Sequence, residues 1–411
     1  MGRLPIDIKK KLGQIIRTER LIRYENHKSQ NATKENPYSK ENFCKGVCHY
    51  HTLNKLEKDF INDSQVYYQL LDKLGYTYNV SYNEHRLLMD TLNTQLYRLL
   101  HAMEYIDDDL LRNIMQDLSG LNVQEDCIVY FHVKLMEIAN NFQIFKSVNE
   151  YELKRIIELR DLYDGVYKGL YYHILGLYYM NNLNLTVAEE HLLQAKNIYH
   201  SYNISKGLIN TNFISLYMLK KDYVNMVNLC VEMEDHYLET SNNNRLLHVY
   251  SSLAEHFLYI NALEKAYYYH NKRKELLDRE PLLSRFRFSI FYNWGMSLIY
   301  IFKYQEAYDY IYQAYQECPF EFMKLRIINP LLFLMTNLKI DEHLVKEVIE
   351  EGKRYYDKAI ETDQTVFKYF EFRYSNNQYY RKYGLQKIVP LLLEDPERIN
   401  FAIMLFEDLY D

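Results

Sequence analysis

The residues best suited to chemistry lie in one short stretch, CKGVCHYH, at 44–51. It holds Cys44, Cys48, His49 and His51, and both residue types are common zinc ligands. Attachment of a c-type haem needs Cys-x-x-Cys-His, whereas three residues separate the cysteines here. A structural zinc site remains an alternative, but no second pair of ligands lies nearby. We therefore predict no metal and no cofactor.

Composition favours long helices around a large core. The chain has 411 residues, of which 48% are hydrophobic, with only 12 Gly and 7 Pro. Because glycine and proline mark turns, their scarcity argues against a turn-rich sheet protein. We predict an all-α fold.

The motifs of several enzyme classes are absent from the sequence. It contains no P-loop, no Gly-x-Gly-x-x-Gly, no Gly-x-Ser-x-Gly and no His-Glu-x-x-His. The acidic runs at 107–109 and 350–351 are typical of solvated helix ends. We predict no catalytic residues and no enzymatic activity.

Targeting signals are also missing. The first residues, MGRLPIDIKKKL, are charged and lack the apolar segment of a secretory signal. No apolar run approaches the roughly 18 residues of a membrane span. The five cysteines are few and odd in number, which favours free thiols in a reducing compartment. These features predict a cytoplasmic protein without a membrane partner.

Charge is distributed unevenly along the chain. Residues 1–80 carry 14 Lys/Arg against 9 Asp/Glu, a net charge of +5, although the whole chain has a net charge of −6. A basic end on an acidic body is typical of a module for a polyanion, and it is also compatible with an ordinary helical domain.

The basic end has the pattern of four compact helices. Apolar residues recur at helical spacing over 6–22, and the polar stretch 24–37 then predicts a loop. Ser39 can cap a short helix, a second short helix follows Cys48, and Asp63 or Ser64 can cap a fourth that stops at Gly75.

Three segments resemble the helix-turn-helix domain of the phage-repressor-like XRE class. They are LGQIIRTER (12–20), FCKGVCHYHTLNKLE (43–57) and YYQLLDKLG (67–75), and the resemblance is closer to the peptide-responsive quorum-sensing regulators of the Rgg/PlcR type. It implies that Arg20 pairs with Glu57 as a structural contact, and that the two cysteines are small buried residues. It also implies DNA contacts from helix 1, the start of helix 2 and the recognition helix: Arg17, Ser39, Lys40, His49, Tyr50, His51 and Lys55.

Beyond residue 84 the chain repeats a helix-pair pattern. HILGLYYMNNLNLTVAEEHLLQAKNIY (173–199) and NWGMSLIYIFKYQEAYDYIYQAYQECP (293–319) place small residues at fixed offsets, with less complete copies between them. These offsets match the tetratricopeptide (TPR) repeat, although the steps of 38, 40 and 41 residues exceed its usual length. We predict a TPR-like right-handed helical solenoid over 79–411, clearest over 169–320. The segment 324–411 then holds capping or dimerisation helices.

The TPR pattern also selects residues that face a groove. In such repeats the first helix of each pair lines a concave surface, through the positions flanking the Leu-Gly site. These positions hold His173, Asn212, Ser215, His248, Ser251, Glu255, Tyr292, Asn293 and Met296. Asparagine amides both donate and accept, so they match a peptide backbone, and the family resemblance implies a short signalling peptide as ligand.

Together these features predict two domains and a function. Residues 1–78 form the helix-turn-helix domain, and a peptide in the TPR groove switches a homodimer on double-stranded DNA. One alternative is a TPR adaptor with a vestigial helix-turn-helix that grips a partner protein, as relatives do with response regulators. Another is a thiol or zinc sensor built on Cys44 and Cys48.

Overall fold

The fold is all-helical, as the sparse glycine and proline predicted. The computed structural model describes residues 4–30, 35–145, 149–375 and 379–390, and these contain helices and no strand. Two compact units divide the chain, Met1–Arg245 and Leu246–Asp411. The division lies inside a helix, and the domain boundary at 78/79 stays a prediction.

In the part of the chain that the structure describes, eight helices precede the clear repeats. They are α1 (Ile6–Gln30), α2 (Lys40–Cys44), α3 (Tyr50–Lys58), α4 (Ser64–Lys73), α5 (Tyr82–Tyr105), α6 (Asp108–Ser119), α7 (Cys127–Phe145) and α8 (Glu150–Glu158). Short 3₁₀ turns follow α6 and α8, at Val123–Glu125 and Arg160–Leu162.

The helix pairs of the repeats follow. They are α9 (Gly165–Asn181) with α10 (Leu185–Ser201), α11 (Lys206–Leu219) with α12 (Tyr223–Glu239), α13 (Asn243–Tyr259) with α14 (Leu263–Arg279), α15 (Arg287–Tyr300) with α16 (Tyr304–Glu317), and α17 (Glu321–Asn337) with α18 (Glu342–Lys353). The described chain ends with α19 (Glu361–Tyr374), α20 (Tyr380–Tyr383) and a π-helical turn, Gly384–Ile388.

The N-terminal caps agree with the sequence. The Ser39 hydroxyl accepts from the Asn42 amide and starts α2, while the Asp63 carboxylate accepts from the Gln65 amide and starts α4. Gly75, with φ of +69°, follows the end of α4. Such side chains satisfy amides that lack a partner within the helix, which is why they fix where each helix begins.

The predicted loop at 24–37 is wrong over its first half, because α1 continues to Gln30. The added turns are polar but contain good helix formers. His27 and Lys28 lie in the last turn, where positive charge interacts favourably with the helix dipole. Polarity here reflects an exposed helix end, which sequence reasoning mistook for a loop.

The TPR spacing is confirmed by burial. Ala188, Leu192 and Ala195 are fully buried in one pair, as are Ala307, Ile311 and Ala314 in another. A Cβ built on Gly176 would lie 2.6 Å from the Leu192 side chain, so the two helices of that pair approach too closely for a larger residue. The expected C-terminal helix at 397–411 lies outside the described residues.

The turn inside each pair passes through a residue with left-handed backbone. These residues have φ between 53° and 62° and recur at the repeat steps: Leu183, Lys221, Asn261, Phe302 and Lys339. At the first of them, the Leu183 amide donates to the Met180 carbonyl and the Asn184 amide to the Tyr179 carbonyl. This is the Schellman arrangement, which usually carries glycine because a side chain is disfavoured at positive φ.

Leu183 is 70% exposed, so its side chain adds little packing to offset this strain. We expect Leu183→Gly to raise the free energy of unfolding by about 0.5–1 kcal/mol, as measured by urea denaturation. Leu193→Gly is the matched control, because Leu193 is also exposed but lies inside α10. That control should lower stability by about 1 kcal/mol. If both substitutions changed stability equally, the backbone at Leu183 would not be strained.

Candidate functional site

The start of α3 presents an exposed cluster of aromatic rings. His49 is the N-cap, and its Nδ1 accepts from the His51 amide at 3.3 Å. The rings of His49 and His51 stack with centroids 5.1 Å apart, and the Tyr50 ring lies 4.5 Å from that of His51. All three side chains are exposed, and together they form a surface able to donate, accept and stack.

The other four predicted DNA contacts differ in their surroundings. Arg17 and Lys55 are exposed on α1 and α3. Ser39 is half-buried and caps α2, while the Lys40 ammonium donates to Asn54 Oδ1 and lies 3.8 Å from Glu57 Oε2. Lys40 is therefore already engaged within the helices, whereas Arg17 and Lys55 extend into solvent.

A buried ion pair orients α3 against α1. Arg20 donates to both carboxylate oxygens of Glu57, from Nε at 2.6 Å and from Nη2 at 3.1 Å. Its Nη1 donates to the Tyr38 carbonyl at 3.1 Å. The two side chains are 3% and 5% exposed, so both charges are compensated by direct bonds rather than by solvent. The structural pairing that the family resemblance implied is confirmed.

Gly13 lets the two helices come close enough for that pair. A Cβ at Gly13 would lie 2.5 Å from the Leu56 carbonyl oxygen, a backbone atom that cannot move aside cheaply. The glycine of the Leu-Gly at 12–13 is thus required by backbone contact between α1 and α3.

A second side of α1 packs on α7, α8 and the 3₁₀ turn after α8. Arg155 Nε donates to Glu19 Oε1 at 2.9 Å, and the Tyr76 hydroxyl donates to Glu19 Oε2 at 3.1 Å. The Thr18 hydroxyl donates to the Glu158 carbonyl at 3.2 Å. Sequence reasoning missed this contact, since it joins residues more than 130 positions apart and no motif marks it.

Among the candidate peptide-binding residues, three lie in the first unit. His173 is buried, with its Nε2 2.6 Å from Asn212 Nδ2 and its Nδ1 3.3 Å from the Tyr199 hydroxyl. Because an amide nitrogen only donates, His173 is neutral, accepts at Nε2 and donates at Nδ1. Asn212 is half-buried, and Ser215, also half-buried, donates to the Thr211 carbonyl.

Burial, together with the nearby charge of Arg245, lowers the pKa of His173 to about 3. The imidazole therefore stays neutral throughout the physiological range. It lies below the surface and orients the half-buried Asn212, whose amide nitrogen donates to its Nε2.

The remaining candidate residues lie in the second unit. Asn293 is exposed on α15, and the others are half-buried on α13 or α15: His248, Ser251, Glu255, Tyr292 and Met296. Glu255 Oε1 lies 3.4 Å from Nη1 of Arg273, a residue that sequence reasoning missed and that is fully buried. A signal existed, since Arg273 stands where α10 and α16 have alanine.

No protein-family profile and no curated protein sequence matches this chain. Solved structures do resemble it. The apo quorum sensor NprR from B. thuringiensis has a TM-score of 0.57 at 15% identity, covering 78% of this chain and 99% of its own. NprR in complex with its cognate peptide NprX has a TM-score of 0.54 at 15% identity, over 76% and 92% of the two chains.

A Rap protein complexed with competence and sporulation factor has a TM-score of 0.55 at 16% identity, over 79% of this chain and 98% of its own. The chain has a TPR-like helical fold. At these identities the likeness extends to fold alone, so it assigns no ligand to this chain.

In the described ranges, no group of three or more His, Cys, Asp or Glu side chains is arranged to hold a metal ion. Cys44 is buried and Cys48 half-buried, and burial raises the pKa of the Cys48 thiol. Within the same ranges, every helix is too short or too polar for a bilayer crossing.

The buried ion pair makes α3 sensitive to charge removal. We expect Glu57→Ala to cost about 3–5 kcal/mol, because Arg20 would keep its charge without a partner. Urea denaturation followed by far-UV circular dichroism measures this, since the single tryptophan, Trp294, lies in the other unit. Glu41→Ala removes an exposed carboxylate from α2 and should change stability by less than about 0.5 kcal/mol. Equal losses from the two substitutions would contradict the role of the pair.

Because His173 is neutral in the folded protein, we expect the free energy of unfolding to depend on pH. Below about pH 6.5 the unfolded chain binds a proton at this histidine, but the folded chain does so only near pH 3. Stability should therefore fall as pH decreases, with His173 adding about 1.4 kcal/mol per pH unit to the slope between pH 6 and 4. Urea denaturation of wild type and His173→Gln at several pH values isolates that slope. If the free energies of unfolding of the two proteins change equally with pH, the prediction is refuted.

Proposed function

We propose that this protein is a non-enzymatic, peptide-responsive DNA-binding regulator of the Rgg/PlcR type. The observation that carries the proposal is the exposed His49–Tyr50–His51 cluster at the start of α3, on a chain whose fold resembles peptide-bound NprR. In the proposal α3 enters the major groove, with Lys55 following along the same helix.

The chemistry of α3 supports DNA as the partner. Its first turn offers two imidazoles and a phenol, which can bond base edges and stack on sugar or base. Arg17 and Lys55 add exposed positive charge for phosphates. The Arg20–Glu57 pair fixes the angle of α3 on α1, so that the groups on α3 are held at a fixed orientation relative to Arg17 on α1.

Two features support a short peptide as the signal. Structures of similar fold are described with bound peptides, NprX on NprR and competence and sporulation factor on a Rap protein. In this chain Asn212 and Asn293 occupy the same repeat position, one in each unit, and amide side chains pair with an extended peptide backbone. A homodimer on a symmetric site completes the proposal.

DNA binding is the property to test first. We expect fluorescence anisotropy with DNA from upstream of the protein's own gene to show saturable binding that weakens steeply with salt. The triple change His49→Ala, Tyr50→Ala and Lys55→Ala should lower affinity about 100-fold or more, because each base contact is worth about 1–3 kcal/mol.

Lys206→Ala is the matched control, since it removes an exposed lysine on α11 whose ion pair with Glu232 is exposed. It should bind DNA like wild type. If the triple variant binds DNA as well as wild type does, α3 is not the contact. If wild type binds no upstream fragment at low salt, the adaptor function replaces the regulator, and partner proteins become the ligands to identify.

A further inference from the structure

One junction in the second unit departs from the repeat pattern at three positions. Four residues after the first alanine, α10 and α16 have Leu192 and Ile311, whereas α14 has His270. Three residues further on, α10 and α16 have a second alanine, whereas α14 has Arg273. On α15, Trp294 stands in the position of Leu175 and Leu253. All three replacements are fully buried, being 1%, 0% and 0% exposed. Residues that break a local rule together are expected at functional sites.

The three side chains form a stack. The His270 ring lies parallel to the Trp294 ring at 4.2 Å, and the Arg273 guanidinium lies 5.0 Å from the same ring centroid. Arg273 Nε donates to His270 Nδ1 at 3.0 Å, and His270 Nε2 lies 2.7 Å from the Tyr310 hydroxyl. His270 is therefore a neutral imidazole, and it supplies no charge to balance the arginine.

The arginine is poorly compensated. Glu255 is the carboxylate in contact with it, at 3.4 Å from Nη1, which is long for a charge-assisted bond. Arg273 Nη2 has no acceptor anywhere in the described chain, and the same holds for the indole nitrogen of Trp294. A buried donor without an acceptor is costly, and a buried charge more so.

Glu255 connects this cluster to the surface. Its side chain is 26% exposed, and it occupies one of the positions that the repeat pattern assigns to the groove. On α15, the neighbouring groove positions are the half-buried Tyr292 and Met296 and the exposed Asn293. A ligand that displaces the Glu255 carboxylate would meet the guanidinium directly.

We propose that Arg273 and Trp294 form a carboxylate-binding subsite for the ligand of the second unit, with Glu255 as its internal competitor. Arginine presents parallel N–H groups that match a carboxylate, and the indole N–H adds a third donor. The adjacent Glu255 disfavours a doubly charged phosphate. The inference rests on the proposed peptide function, and it names a peptide carboxylate as the group recognised.

The single tryptophan makes the test specific, because Trp294 emission reports on this cluster alone. Full-length protein is titrated with sodium acetate, against sodium chloride at equal ionic strength. We expect a saturable acetate-specific change, with Glu255→Gln binding acetate about tenfold or more tightly than wild type, since one charged competitor is removed. Glu275→Gln removes an exposed carboxylate from α14, the helix that carries Arg273, and should leave acetate affinity unchanged.

Arg273→Met should abolish the response while keeping the reporter, with folding checked by circular dichroism. If that variant does not fold, the acetate affinities of Glu255→Gln and Glu275→Gln still test whether the subsite exists. Identical effects of acetate and chloride in Glu255→Gln would overturn the subsite. So would equal acetate affinity in Glu255→Gln and Glu275→Gln.

Three capped tripeptides locate the source of the carboxylate. N-acetyl-Ala-Asp-Ala-amide offers a side-chain carboxylate, N-acetyl-Ala-Ala-Ala a terminal one, and N-acetyl-Ala-Ala-Ala-amide neither. A response to the first or second alone assigns the source, and an equal response to the neutral peptide overturns the proposal. These titrations do not depend on DNA binding by α3. If no carboxylate binds, the DNA-binding proposal still stands, and if no DNA binds, the carboxylate subsite still stands.

Discussion

Helix α1 is buried on two sides, and the arrangement of the first unit depends on it. Adjacent residues of a helix point about 100° apart, so Glu19 and Arg20 reach different partners. Arg20 binds Glu57 of α3, and Glu19 binds Arg155 of α8. One short segment of backbone therefore sets both the angle of the candidate DNA-contacting helix and the contact of α1 with α8. Gly13 adds a steric condition, because α3 crosses α1 at backbone contact.

This construction limits how α3 can move relative to α8. A change of angle must break either the Arg20–Glu57 or the Glu19–Arg155 pair, and Glu19, Arg20 and Glu57 are nearly inaccessible to solvent. Separating one partner from a buried pair leaves an uncompensated charge, at a cost of about 3–5 kcal/mol. Gradual bending is therefore unfavourable, and a ligand-driven change in the first unit would have to pass between discrete pairings.

The sequence predicted local features well because they depend on local chemistry. The caps at Ser39 and Asp63, the repeat steps and the buried alanines follow from helix ends and helix-pair packing. The second half of α1 was missed because a polar exposed helix end and a polar loop have the same composition. The Glu19–Arg155 contact joins helices far apart in the chain, and a single sequence carries no signal for such a pairing.

Arg273 illustrates a different limit. A repeat pattern is recognised by the positions that conform to it. A repeat with non-conforming residues is therefore treated only as a weaker copy of the pattern. In space the three non-conforming residues of the α14–α15 junction contact one another, and they replace an apolar interface by a stacked arginine, histidine and tryptophan. An apolar set of similar volume would fill the junction without unpaired donors. Packing stability therefore does not account for this set of side chains, whereas recognition of an acceptor accounts for the charge, the two unpaired N–H donors and the single partly exposed carboxylate beside them.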